Sequence, residues 1–311
     1  MKNEFMKYAY FKGEIVEFEK ATVSIAAHSL QYGTTCFGGI RGYYRDGKIS
    51  VFRLKDHYIR LMNASKMLGF EFFVSWEEFK KTVGELIKKN DIKEDFYMRP
   101  FVFCSQPRIS PKKAGLDFEL AIYLLPLADY VSTEKGGIRF MSSTYRKYSD
   151  AAIPTKAKAG GSYINSFLAT SDAQRNGYDE ALMFDNNGNV VEASVANIIL
   201  IYRDKVVVPD VGSDALEGIT VRSMLELLEY NGYEVHREKL DRSMILTADE
   251  LLVTGTAMKI VYAESLDGRP IGTEDYSARG QAGKYYKLLK SEFEKVISGE
   301  HELSKKWLEI F

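Results

Sequence analysis

The sequence predicts an α+β fold in two domains, with mixed or antiparallel sheets in both halves. Three observations carry this expectation. The chain has 311 residues, enough for about two domains at the usual ~100–200 residues each. Its composition, 45% apolar and 27% charged, is that of a chain with a packed core and not of a disordered or coiled-coil one. Its strand-like runs follow one another in quick succession between turns, without the regular strand–helix alternation of a doubly wound sheet.

The first domain is expected over residues 1–125. Ile40–Tyr44 and Ile49–Phe52 flank Arg45-Asp46-Gly47-Lys48, and Asp-Gly between two such runs is a strong hairpin signal. Leu54, Tyr58, Leu61, Met62, Ser65 and Leu68 recur at helical spacing, with Gly69 where a C-cap belongs. A capping box, Ser75-Trp76-Glu77-Glu78, opens a second helix that buries Phe79, Val83, Leu86 and Ile87. Strand-like runs follow at Phe96–Cys104 and Phe118–Leu125. The pattern breaks over residues 126–137, which is read as the interdomain linker.

The second domain is expected over residues 138–311. It begins with a strand near Ile138–Ser142 and a long polar loop from Thr144 to Gly161. A helix then ends at Gly177. Glu180–Phe184 and Val190–Glu192 are separated by the turn Asp185-Asn186-Asn187-Gly188. Asn197–Tyr202 and Val206–Val208 are separated by Arg203-Asp204-Lys205. Helices at roughly Thr220–Asn231 and Ala278–Ser298 close the domain.

Charge and motif content exclude several function classes. The 42 Lys+Arg and 43 Asp+Glu give a net charge of −1, which offers no footprint for nucleic acid or an anionic membrane. From Ala21 to Ile40, twenty residues run without a charge. His28, Gln31, three glycines and five Ser/Thr make this run too polar to insert in a bilayer, so it is read as buried or as lining a cavity. No signal peptide is read at the N-terminus. Cys36 and Cys104 are far apart, which excludes a disulfide framework and fits a reducing, cytoplasmic setting. There is no P-loop, GxGxxG, HExxH or GxSxG motif. The four histidines, His28, His57, His236 and His301, never approach metal-ligand spacing, so no metal site is expected.

The informative stretch is Pro154-Thr155-Lys156-Ala157-Lys158-Ala159-Gly160-Gly161-Ser162-Tyr163. A lysine before a Gly-Gly pair at a loop-to-helix junction can be half buried, with backbone packed closely round it. Such placement lowers an amine pKa and suits a Schiff-base nucleophile. By spacing alone, Lys156 and Lys158 read equally well as a solvated basic loop.

This segment resembles the active-site lysine region of the branched-chain amino acid aminotransferases, fold type IV pyridoxal-phosphate enzymes similar to D-amino acid aminotransferase. The resemblance covers nearly the whole chain through motifs in the family's order. They include Tyr32-Gly33-Thr34 through Phe37 and Gly39-Ile40-Arg41, then Val51-Phe52-Arg53-Leu54 leading to Arg60-Leu61. Tyr97-Met98-Arg99-Pro100, Lys158-Ala159-Gly160-Gly161 and Asn176-Gly177-Tyr178-Asp179-Glu180-Ala181 follow. Val191-Glu192-Ala193, Leu216-Glu217-Gly218-Ile219-Thr220 and Thr254-Gly255-Thr256-Ala257 complete the set.

The resemblance implies a role for each matching residue. Lys158 would hold pyridoxal 5′-phosphate as a Schiff base and move a proton at the substrate's Cα. Lys156 is the only nearby competitor, and the family places its lysine directly before Ala-Gly-Gly. Glu192 would face the pyridine nitrogen, and Tyr163 would lie near the ring. Arg60, the helix start at Gly218, Ile219 and Thr220, and the Thr256 hydroxyl would hold the phosphate. Tyr97 and Arg99, two residues apart on one strand face, would recognise a substrate carboxylate such as the second one of 2-oxoglutarate. Tyr32, Phe37, Gly39, Tyr130 and the Thr256-Ala257 turn would wall a site for a branched aliphatic side chain, and Tyr130, on the linker, suggests a lid.

The implied activity is amino-group transfer from leucine, isoleucine or valine to 2-oxoglutarate by a ping-pong cycle. It would be carried out by a cytoplasmic homodimer or higher oligomer in which residues near Tyr32 reach toward the partner's site. Two positions depart from the family pattern. Gly38 stands where the family commonly has glutamate, and Ala196 replaces the second glutamate of Glu-Gly-x-x-Glu-Asn. These departures keep related fold type IV activities open: a D-amino acid or R-amine transaminase, or aminodeoxychorismate lyase. A non-catalytic oligomeric binding protein of the same fold is the reading from a different class, and the presence of Lys158, Arg60 and Glu192 argues against it.

Overall fold

A computed structural model of the chain describes residues 5–127, 136–272 and 279–311. The described residues fall into two compact units. One draws on residues 5–127, 157–162 and 297–311, and the other on residues 136–156, 163–272 and 279–296.

In the first unit the strands are β1 (Tyr8–Phe11), β2 (Glu14–Glu17), β3 (Thr35–Phe37), β4 (Ile40–Arg45), β5 (Lys48–Phe52), β6 (Phe96–Phe103) and β7 (Glu119–Pro126). With the C-terminal strand Leu308–Ile310 they form one sheet in the order C-terminal strand, β5, β4, β6, β7, β1, β2, and β3 pairs with β6. Every pairing in it is antiparallel. The β4–β5 hairpin closes as the Asp-Gly signal predicts: Asp46 and Gly47 both take positive φ, 52° and 75°, which matches the twist of the flanking strands.

The helices of this unit are α1 (His28–Tyr32), α2 (Leu54–Met67), α3 (Trp76–Lys89) and a single turn, Ser304–Trp307, just before the C-terminal strand. As expected, Gly69 takes a left-handed φ of 69° just past α2, and Ser75 caps α3 by accepting the Glu78 N–H at 3.2 Å. Leu54, Tyr58, Leu61 and Ala64 of α2 and Phe79, Val83, Leu86 and Ile87 of α3 enter one core with Val51, Phe96, Met98, Ile122 and Leu124 of the sheet. Each large apolar side chain buried there contributes about 1.5–3 kcal/mol, so Leu86→Ala would cost roughly 2–5 kcal/mol once its cavity is counted.

The second unit holds β8 (Ile138–Arg146), β9 (Glu180–Phe184), β10 (Val190–Ala193), β11 (Asn197–Tyr202), β12 (Lys205–Pro209), β13 (Val235–Glu238), β14 (Glu250–Gly255), β15 (Lys259–Leu266) and β16 (Arg269–Pro270). They run in the order β10, β9, β8, β15, β14, β11, β12, β13, with β16 against β15. This sheet is mixed: β8 is parallel to both β9 and β15, β12 is parallel to β13, and the other pairings are antiparallel. Its helices are α4 (Tyr163–Arg175), α5 (Ile219–Tyr230), α6 (Arg242–Leu246) and α7 (Lys284–Ser298).

The structure moves several expected boundaries. The strand expected over Ile138–Ser142 continues to Arg146, so the polar loop begins later, and it contains short 3-10 turns at Thr155–Ala157 and Gly160–Ser162. The last long helix begins at Lys284, where the buried Glu250 carboxylate accepts the Tyr285 and Tyr286 N–H groups at 2.8 and 3.0 Å. That cap lies on β14 and so leaves no local start signal before the helix. Among the described residues no helix is long and apolar enough to cross a membrane, and no cluster of three or more His, Cys, Asp or Glu side chains could hold a metal ion.

Candidate active site

In the first unit, chemistry gathers around Lys158. Lys158 adopts a left-handed φ of 48°, a conformation that costs a non-glycine residue roughly 1–2 kcal/mol. Neighbouring backbone imposes it. The Phe37 N–H donates to the Lys158 carbonyl at 3.3 Å, Ala159 bridges to Cys36, and the Gly161 N–H donates to the Gly33 carbonyl at 3.2 Å. A Cβ on Gly33 would lie 2.6 Å from Gly161 Cα, and one on Gly160 would lie 2.3 Å from Thr35 Cγ2. The Tyr32-Gly33-Thr34 and Lys158-Ala159-Gly160-Gly161 motifs are thus two halves of one backbone contact.

Side chains then converge over the Phe37 ring. Lys158 Nζ lies 5.3 Å and Arg99 Cζ 4.5 Å from its centroid. Arg99 Nη2 donates to the Tyr97 hydroxyl at 2.9 Å, confirming the same-face geometry expected of residues two apart on a strand. Burial pushes the Tyr97 hydroxyl up, against the opposing pull of Arg99 and Arg60, so it stays a neutral phenol. Gly39 makes this arrangement fit: a Cβ there would stand 2.0 Å from the Tyr97 oxygen. Arg99 Nε is buried without a hydrogen-bond partner. On α2, Arg60 Nη2 lies 3.5 Å from Nδ1 of the buried His57. Tyr32 stands apart from this group, 38% exposed, with its ring 4.7 Å from that of His28.

In the second unit the centre is Glu192 on β10, 4% exposed. Its Oε1 takes the ammonium of Lys147, and its Oε2 accepts from Asn197 Nδ2 at 3.0 Å and the Leu216 N–H at 3.1 Å. Burial alone would lower the Lys147 amine, but the Glu192 carboxylate and Tyr148 outweigh it and keep the amine above its ordinary value, hence charged. Asn197 also donates to the Leu216 carbonyl at 2.8 Å, tying Glu192 to the loop before α5. It passes so close over Gly218 that a Cβ there would meet its Oδ1 at 1.9 Å. No side chain caps α5, so the first-turn N–H groups from Ile219 onward and the positive end of the helix dipole are offered to an anion.

Lys156, the rival of Lys158 in sequence, lies in this unit with its ammonium on the carbonyls of Ser213 (2.8 Å) and Ala215 (2.5 Å). It fastens the loop leading to α5. Thr256 and Ala257 form the turn between β14 and β15, following Gly255, on which a Cβ would lie 3.7 Å from Ala196 Cβ, and the Thr254 hydroxyl is fully buried without a partner. Tyr163 opens α4. Tyr130 lies outside the described residues. Sequence reasoning missed Lys147 and the bridging part played by Asn197. Lys147 reads in sequence as part of a basic dipeptide in a polar loop, and only the Glu192 contact distinguishes it.

Each unit by itself offers groups that fit pyridoxal 5′-phosphate: the first a primary amine on strained backbone, Lys158, and the second a buried carboxylate, Glu192, and the uncapped start of α5. The comparisons agree. Residues 35–266 match the family described as amino-transferase class IV. A probable branched-chain-amino-acid aminotransferase of Aquifex aeolicus is 36% identical over 311 residues, covering 99% of this chain and 98% of that one. The solved branched-chain aminotransferase of Thermoproteus uzoniensis, with norvaline, has a TM-score of 0.90 at 32% identity and covers 99% of both chains. A T.th. branched-chain amino acid aminotransferase complexed with N-(5′-phosphopyridoxyl)-L-glutamate has a TM-score of 0.89 at 30% identity and covers 98% of both. The fold is that of a type IV aminotransferase. Within that class the chain belongs to the branched-chain-amino-acid aminotransferase family, and its cofactor is pyridoxal 5′-phosphate.

Proposed function

We propose that this chain transfers the amino group of leucine, isoleucine or valine to 2-oxoglutarate in a ping-pong cycle, with Lys158 as the cofactor-bearing residue. One observation carries the reading: Lys158 and the Tyr97–Arg99 pair share the Phe37 ring. A proton-moving amine and a carboxylate receptor thus border one uncharged wall. Pyridoxal phosphate, when bound, supplies the electron sink that makes the substrate's Cα proton acidic. Lys158 would take the proton from the substrate's Cα and deliver it, within the same half-reaction, to the cofactor's C4′, and would move a proton the opposite way in the second half-reaction. Arg60 in the first unit and the start of α5 in the second would hold the phosphate, and Glu192 would receive the ring nitrogen.

Arg99, steadied by Tyr97, takes the carboxylate of 2-oxoglutarate that a branched-chain substrate lacks. Phe37 and Gly39 receive an aliphatic side chain without desolvating a charge. The neighbours crystallised with norvaline and with a glutamate adduct of the cofactor support an apolar and an acidic substrate in turn. Reduction with borohydride followed by peptide mapping tests the assignment, and an adduct absent from Lys158 would overturn it. Lys158→Ala is expected to fold normally and lose transamination. Near wild-type turnover in that variant would remove Lys158 from the mechanism.

Gly38 and Ala196 leave the stereochemical class of the amino donor to experiment. Glutamate formation from 2-oxoglutarate is measured with L-leucine, D-alanine and R-1-phenylethylamine in parallel. Turnover confined to the last two would replace the branched-chain assignment with a D-amino acid or R-amine transaminase. We also assign a homodimer. The first half of the uncharged run leaves Val23, Ile25 and Leu30 exposed, and the Ala27–Pro107 bridge sets the exposed Ile109 segment alongside. Leu30→Glu is expected to yield monomers by light scattering, and a wild-type chain that is fully active as a monomer would contradict the assignment. Both cysteines are free and buried, in keeping with a reducing, cytoplasmic setting.

A further inference from the structure

The Glu192 carboxylate is already balanced before any cofactor is considered. A carboxylate offers about four acceptor sites, two on each oxygen. Asn197 and the Leu216 N–H take both on Oε2, and the Lys147 ammonium takes one on Oε1. The one site left for a ring nitrogen therefore lies on the oxygen that Lys147 holds. Lys147 and Glu192 are both almost fully buried, with side chains 7% and 6% exposed, so solvent screens this pair little.

The other titratable or charged groups on packed elements do not change the balance. Tyr148 sits beside the Lys147 ammonium, which lies 4.7 Å from its ring. Glu180 on β9 is occupied by the hydroxyls of Ser194 and Thr170 and by the Ala181 N–H. Lys156 is spent on the carbonyls of Ser213 and Ala215.

Charge bookkeeping follows. A lone buried carboxylate facing a pyridine ring is neutralised when the ring nitrogen carries a proton. With Lys147 present, the lysine–carboxylate pair is neutral by itself, and a ring proton adds an uncompensated buried positive charge. We propose that Lys147 sets the protonation of the cofactor's ring nitrogen, holding the bound ring less protonated than Glu192 alone would hold it. This rests on the reading that Glu192 receives that nitrogen. Lys147 is then a positioning residue that moderates the electron sink and so limits how far negative charge can spread into the ring.

The test uses the full chain loaded with pyridoxal 5′-phosphate carrying nitrogen-15 in the ring, whose chemical shift reports protonation directly. Lys147→Met is expected to raise the ratio of protonated to unprotonated nitrogen by roughly tenfold at a fixed, slightly alkaline pH, equivalent to about one pH unit. Lys147→Arg, which keeps the cation, should match the wild type. Glu192→Gln should lower the ratio. If Lys147→Met folds poorly, Lys147→Gln removes the charge at similar length and is expected to shift the signal the same way. A fall or no change on removing the charge, with Glu192→Gln still lowering the ratio, overturns the proposal and leaves the place of Glu192 standing. No response to Glu192→Gln overturns both.

Discussion

Gly39→Ala tests the carboxylate receptor through a single methyl group. The new Cβ would lie 2.0 Å from the Tyr97 oxygen, 2.7 Å from its Cζ and 3.1 Å from its Cε2. To reach an ordinary contact near 3.5 Å the hydroxyl must retreat by about 1.5 Å. The 2.9 Å bond from Arg99 Nη2 then stretches past hydrogen-bonding range. Two costs follow. Overpacking a buried site removes about 1–3 kcal/mol of stability, or roughly 2–10 °C in Tm for a chain of this size. A hydrogen bond to a charged group is worth about 1.5–3 kcal/mol, so loss of the Arg99 alignment should raise KM for 2-oxoglutarate by about 10- to 100-fold.

The assay is glutamate formation with L-leucine as donor, each substrate varied in turn, alongside thermal unfolding. The KM for L-leucine should move far less than that for 2-oxoglutarate. Tyr97→Phe separates the two costs, because it removes the hydroxyl while leaving room for the ring. It should raise the 2-oxoglutarate KM with little change in Tm. A Gly39→Ala enzyme with wild-type Tm and KM would mean that Tyr97 and Arg99 do not act as a positioned pair.

Three further outcomes are expected. Gly33→Ala meets both a left-handed φ of 65° and Gly161 Cα at 2.6 Å, and should cost about 2–4 kcal/mol, read as a lowered Tm together with poor cofactor retention. Ser75→Ala removes the α3 cap and should cost about 1 kcal/mol in denaturant unfolding without affecting turnover. Asp267 gives a pH signature. Burial alone would raise its carboxyl, but the Ser142 N–H and hydroxyl and Arg242 outweigh burial and hold it below the usual carboxylate range. Its stabilisation is therefore present above the unfolded value near ~3.9 and is lost as pH falls through the lower folded value. The stability gap between wild type and Asp267→Asn, about 1 kcal/mol at neutral pH after allowance for partial exposure, should close in acid; a gap independent of pH would refute the assignment.

What the sequence made legible was local. The Asp46-Gly47 turn, the Ser75 cap and the Gly69 stop are each written within four residues, and each forms as read. Elements held by distant partners were not legible. The C-terminal strand Leu308–Ile310 exists because β5 offers it an edge, and α7 begins where Glu250 reaches it from β14. The same distinction runs through the site. Tyr97 and Arg99 are linked by strand periodicity and could be paired from sequence. Lys147 meets Glu192 across 45 positions, joined by the parallel pairing of β8 with β9, and no local pattern encodes that. Lys156 and Lys158 could not be separated by spacing. Their carbonyl and ring contacts separate them.

The uncharged run from Ala21 to Ile40 divides at Gly33, and the division explains why one stretch serves two purposes. Before it, Val23, Ile25 and Leu30 face outward, while His28 is fully buried, its Nε2 on the Ser110 carbonyl at 2.8 Å and its Nδ1 on the Thr34 hydroxyl at 2.7 Å. A carbonyl only accepts, so Nε2 carries a proton, and with the Thr34 hydroxyl on Nδ1 both ring nitrogens have partners. After Gly33, the backbone pins the Lys158 turn, and Phe37 and Gly39 border the Tyr97–Arg99 pair. A charge in the first half would oppose the burial against a second copy that we propose, and one in the second half would compete with Lys158 or Arg99 for their partners. On that proposal both halves of the run favour neutrality, each for its own reason. Its second half is the more constrained, since Gly33 and Gly39 are each fixed by a contact that admits no side chain.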